Sequence, residues 1–146
     1  AVISHESGLE IGGGVENITS SGQAANSDES RTTGYVKFAS GGLTIAYQEA
    51  YDNGRHGNAI VGQDQAATMS GIAYTAGDIT VSYGKSTLEQ RATSVTAATE
   101  EELDSIQAAY TMGAMTISAA ISETDSVGGV AGQTYETNTL AVSFAF

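Results

Sequence analysis

Glu100-Glu101-Glu102, followed by Asp104, is the densest run of oxygen ligands in the chain. Carboxylates so close together suit a hard divalent cation such as Ca2+. The spacing is not that of an EF-hand loop, and runs of like charge are ordinarily solvated. The four are metal candidates with nothing further behind them, and no cofactor is expected. His5 and His56 are the only histidines and lie far apart in the chain, which argues against a histidine metal site. Absence of Cys removes thiolate ligands and disulfides alike. No Ser/His/Asp set and no paired-acid arrangement stands out, so no residue is assigned a catalytic role and the chain is read as a non-enzyme. Gly12-Gly13-Gly14 invites comparison with a phosphate loop, yet nothing helical follows it, and it reads as a crowded strand.

The remaining chemistry is that of a charged wall. Glu10, Glu16, Tyr35, Lys37, Gln48 and Gln107 are the larger members of a polar set whose other members are small, among them Thr44, Ala46, Thr80, Ser82, Ala109, Thr116, Ser118, Ala141 and Ser143. If these line a pore, Glu10, Glu16 and Lys37 bias ion passage by their local field. The plain alternative is that they pair with one another and only solvate the wall.

The elements that carry this set are short alternating runs joined by glycine turns. Tyr74–Tyr83, YTAGDITVSY, folds about Gly77-Asp78, with Ile72 and Tyr74 on one face going in and Ile79, Val81 and Tyr83 on one face coming out. Ala73, Thr75, Thr80 and Ser82 take the other face, the period-two pattern of paired strands. Phe38–Tyr47, FASGGLTIAY, and Tyr110–Ala119, YTMGAMTISA, repeat the module. The turn glycines Gly41, Gly77 and Gly113 are 36 residues apart at each step. Eight strands are readable, and Ala1–His5 looks like the stub of a ninth. Ala97–Met112 also fits a helix, through Leu103, Ile106 and Tyr110, but strand is preferred because Tyr110 and Gly113 keep the repeat.

Connections at Gly8, Gly41, Gly77 and Gly113 are short, about two or three residues, and those between them long and polar, so turns gather at one end and loops at the other. That sorting describes an antiparallel up-and-down sheet with distinct ends, as in a transmembrane β-barrel, with periplasmic turns and external loops. Seventeen acids against five bases give a net charge of −12 and no basic stripe, which excludes nucleic acid as an expected partner. The chain has no Pro, as uninterrupted ladders require. No apolar run reaches the roughly 18 residues of a spanning helix. The acid excess predicts a cation preference.

At the C-terminus Leu140, Val142, Phe144 and Phe146 alternate with Thr139, Ala141, Ser143 and Ala145. A final aromatic with alternating apolar residues behind it resembles the signal by which outer-membrane barrels are recognised for insertion. Together with the YTxGxxTxSY-type hairpins and Gly-rich acidic loops, the chain resembles the C-terminal half of a Gram-negative general-diffusion porin of the alphaproteobacterial type. The resemblance implies an eight-strand portion of a sixteen-stranded barrel in the outer membrane. It further implies passive diffusion of small hydrophilic solutes and ions, a homotrimer, and contact with lipid, lipopolysaccharide and the barrel-assembly machinery. In that frame Phe38, Tyr74 and Tyr110, together with Phe144 and Phe146, belong to a periplasmic aromatic girdle, and Tyr47 and Tyr83 to part of an outer one. The chain departs from that family in length, and neither the inward-folded third loop nor the arginine cluster opposite it is present. The alternatives are a complete eight-stranded structural or adhesive barrel and a secreted soluble β-protein.

Overall fold

The computed structural model describes residues 1–18, 29–53, 56–57, 60–61, 64–90 and 98–145. Nine strands form one antiparallel sheet: β1 (Val2–Ser4), β2 (Leu9–Ile18), β3 (Glu29–Ser40), β4 (Leu43–Asn53), β7 (Gln65–Ala76), β8 (Ile79–Gln90), β9 (Thr99–Met112), β10 (Met115–Asp125) and β11 (Thr134–Phe144). A separate ladder, β5 (His56–Gly57) with β6 (Ile60–Val61), interrupts the connection between β4 and β7. Strand order in the sheet follows chain order, so the topology is up-and-down throughout. β1 and β11 are its two edges and do not pair with each other. The count of eight strands is thus corrected to nine, because the stub at Ala1–His5 does pair, Val2 opposite Gly12 and Ser4 opposite Glu10.

The helical alternative at Ala97–Met112 fails for a reason visible in the pairing. β9 is hydrogen-bonded on both sides, and its register puts Ile106 and Tyr110 in one face but Leu103 in the other. The apparent i, i+3, i+7 stripe therefore belongs to no single surface.

Two-residue turns close three of the hairpins. Gly41 and Gly42 both have positive φ, 58° and 84°, as a type I′ turn demands. Gly77 takes the first central position of its turn at φ 59°. The β1–β2 connection is longer, His5 to Gly8, and is pinned by Gly8 N–H donating to the His5 carbonyl at 3.0 Å.

The sheet is a single layer with two unlike faces. Among the described residues the only buried apolar side chain is Ala66. Ile45, Val81, Ile117 and Val142 are 45%, 48%, 38% and 53% exposed, with no second sheet over them among the described residues. A soluble sandwich would bury these positions between its two layers. On the opposite face hydroxyls pair across strands, Thr75 with Thr80 at 3.0 Å, Thr111 with Thr116 at 3.1 Å and Ser105 with Ser122 at 2.9 Å.

Register adds a slant. Leu9 opens β2, and through Phe38 its row reaches Ile45, two residues past Leu43, which opens β4. Leu43's row reaches Val81 through Tyr74, two residues past Ile79, which opens β8. Ile79's row reaches Ile117 through Tyr110, two residues past Met115, which opens β10. Each hairpin is therefore displaced along the strands by two residues from the last, always in the same direction. One residue, about 3.3 Å, for each strand spacing of about 4.8 Å inclines the strands by about 35° to the normal of the line of turns.

Candidate functional site: the hydroxyl-lined face

Cross-strand pairing gathers the charges of the hydroxyl-lined face, Glu101 of β9 apart, onto β2–β4. Near the turns, Glu10 lies opposite Lys37. Its Oε1 accepts from Lys37 Nζ at 3.0 Å and from the Tyr35 hydroxyl at 2.9 Å. Tyr35 reaches Glu10 by lying across Gly12, its cross-strand partner. A Cβ on Gly12 would stand 2.3 Å from Tyr35 Cε1, so any side chain there would have to displace the ring. The crowded-strand interpretation of Gly12-Gly13-Gly14 holds at this position.

Toward the long loops the same face carries a second cluster. Arg31 lies opposite both Glu16 on β2 and Asp52 on β4. Its guanidinium donates to Asp52 Oδ2 at 3.1 Å, hydrogen-bonds Glu29 and stands 3.7 Å from Glu16 Oε2. Asp52 Oδ1 is buried without a hydrogen-bond partner among the described residues. A concavity of about 470 Å³ opens here, bordered by Glu16, Arg31, Ala50, Asp52, Gln65 and Leu88. With three carboxylates around one guanidinium the cluster holds a net negative charge, whereas the Glu10–Lys37 pair is neutral.

Four of the six pore-lining candidates, Glu10, Tyr35, Lys37 and Gln48, border one shallow concavity with Ala46, Met69 and Gly71. Gln48 Nε2 donates to Thr33 Oγ1 at 3.1 Å. Glu16 belongs to the Arg31 cluster instead. Gln107 shares the face but sits on β9, among Thr80, Ser82, Ser118 and Thr139. Arg31 and Asp52 are not among the sequence candidates because both lie outside the recognisable run Phe38–Tyr47, near the far ends of β3 and β4. Continuing the alternation from Lys37 through Tyr35 and Thr33 reaches Arg31, and from Gln48 through Ala50 reaches Asp52.

The aromatic candidates all lie on the apolar face, but not as two separated rings. Tyr74 pairs with Val81 and Tyr83 with Ile72, so Tyr74 and Tyr83 occupy adjacent rows, about 7 Å apart along the strands. Phe38 and Tyr47 repeat this arrangement, opposite Ile45 and Val36. Both sets form one continuous belt with Tyr110, because the repeat puts each aromatic two or four residues from the strand position that flanks its turn. Just beyond it come acids: the Tyr47 hydroxyl donates to Glu49 and the Tyr83 hydroxyl to Asp104. Lys85 pairs with Glu102 at 2.6 Å.

Leu140, Val142 and Phe144 lie on the apolar face of β11, opposite Ala119, Ile117 and Met115. Phe146 falls outside the described residues. The acidic run does not converge. Glu102 and Asp104 share the apolar face of β9 with Glu100, while Glu101 has the parity of Leu103 and Ser105 on the other face. Glu101 accepts from the Gly128 amide at 2.7 Å. Among the described residues no three acids or histidines come together as a metal site.

Compared with protein-family profiles, curated proteins and solved structures, the chain matches none.

Proposed function

We propose that this sheet is an arc of the wall of an outer-membrane β-barrel, a passive channel for small hydrophilic solutes and ions. The observation that carries the reading is the slanted register on a two-faced sheet. If the glycine turns lie in one plane parallel to the membrane, the two-residue step of each hairpin tilts the strands by about 35°, the inclination of transmembrane barrels. In that tilted frame the aromatic residues of the belt come to common heights: Phe38 with Tyr74 and Tyr110, and Tyr47 with Tyr83. The eight long strands of the sheet, β2–β4 and β7–β11, have 10 to 14 residues and meet the length of about 9 to 11 that a tilted strand needs to cross the hydrocarbon. In lipid the edges at β1 and β11 require partners, which is why the sheet reads as an arc of a larger closed wall.

In the same frame Tyr35, Gln48 and Gln107 stand at one height, each five residues from its turn-flanking position, Ser40, Leu43 or Met112. Bulky polar side chains at a common depth on a wall otherwise of Ala, Ser, Thr and Gly would set the lumen width. The test is planar-bilayer conductance of the detergent-purified protein. Steady ohmic steps with a reversal potential favouring cations in a salt gradient are expected. A protein soluble without detergent and giving no current would overturn the reading in favour of a secreted β-protein, and a sealed membrane-inserted barrel would favour a structural role. The reading carries a homotrimer with it, checked by the mass of the complex in detergent.

A further inference from the structure

The connection from β10 to β11, residues 126–133, does not rise freely from the sheet. A 3-10 turn, Val127–Gly129, folds it back toward β9. There the Gly128 amide donates to Glu101 Oε2 at 2.7 Å. Gly129 comes so near Thr99 that an added Cβ would lie 2.4 Å from Thr99 Cβ. Thr99 and Glu101 have the parity of Ser105 and Gln107, so the connection leans over the hydroxyl-lined face. It closes on itself through Val127 N–H donating to the Gln133 carbonyl and Gln133 N–H to the Val130 carbonyl, each at 3.2 Å. Ser126 takes a left-handed backbone, φ 55°, and so do Gly128, Gly129 and Gly132. No residue from 126 to 133 is charged.

Glu101 is the only charged side chain on this face of β7–β11 among the described residues, and its partner is a backbone amide. A carboxylate used in this way holds a loop tip against a wall. We infer that residues 126–133 form a gating flap at the loop end of the channel, held open against the wall by Glu101. Released, the flap swings toward the lumen and interrupts the current. This rests on the channel reading above. The flap is uncharged and borders the side of the lumen where Glu101 is the one charge among the described residues, so in the latched state ions pass along the more heavily charged side, β2–β4.

Two variants release the flap by different routes. Glu101→Ala removes the acceptor, and Gly129→Val drives a branched side chain into Thr99. Glu101→Gln keeps an amide oxygen able to accept from Gly128. Single-channel records in planar bilayers at constant voltage should show the closed fraction rising about tenfold in Glu101→Ala, the shift expected for losing one hydrogen bond to a charged group. Gly129→Val should behave likewise, and Glu101→Gln should stay near the parent protein. Identical records for all four proteins would overturn the flap. A parent protein without current overturns the channel reading instead. The latch is then judged on its own by hydrogen exchange of the Gly128 amide, which must speed up in Glu101→Ala; unchanged exchange would overturn it.

Discussion

Arg31 is the residue whose removal should speak most clearly. Among the described residues it is the one cation beside Glu16, Glu29 and Asp52, so Arg31→Gln leaves three carboxylates on the face proposed to line the lumen without that counter-charge. The reversal potential in a salt gradient should move further toward cation selectivity. Lys37→Met should move it the same way but less, because Glu10 alone is freed there. Lys85→Gln is the control: Lys85 lies on the apolar face beside Glu102, and its loss should leave the reversal potential unchanged. Equal shifts from all three would place the charges on one common surface and contradict the two-faced wall. Tyr35 offers a second check. Gly12→Ala must push the phenol ring aside, so its effect on conductance should vanish in a Tyr35→Ala background, where no ring is left to displace.

At the scale of the element, the turns separate two costs that glycine avoids. Gly77 has φ 59° with nothing near an added Cβ, so Gly77→Ala should cost only the left-handed penalty, about 1–2 kcal/mol. Gly42 has φ 84° and the Thr75 carbonyl oxygen only 2.3 Å from an added Cβ. Gly42→Ala must also break the bond from Thr75 N–H to the Gly42 carbonyl, 2.9 Å long, that joins this hairpin to the next. Urea unfolding in lipid vesicles should rank Gly42→Ala well below Gly77→Ala, and equal midpoints would refute the distinction. Both glycines are visible in the repeat, but only the spatial neighbour distinguishes them. β9 makes the same point. Its residues fit a helix as well as a strand, and hydrogen bonding on both sides to β8 and β10 decides for strand.

For the whole molecule the membrane reading makes an asymmetric demand. Val81→Arg places a charge on the apolar face in the row of Tyr74, and should destabilise the protein in lipid. Thr80→Arg, one residue away, faces the lumen and should be nearly neutral for stability while changing conductance. A soluble sheet would show no such contrast between vesicle and detergent-free buffer. Which residues alternate, where the turns fall and which strands neighbour one another were legible from the chain alone, because a period of two and a repeating glycine are local properties. The apolar and hydroxyl faces followed directly. Arg31 among three carboxylates, Tyr35 lying over Gly12, Glu101 holding the Gly128 amide, and the union of two expected aromatic girdles into one belt did not follow. Those depend on register, the relative sliding of strands, which pairing across distant segments sets and which no single run of sequence contains. The slant of two residues per hairpin is of the same kind: it exists only between strands.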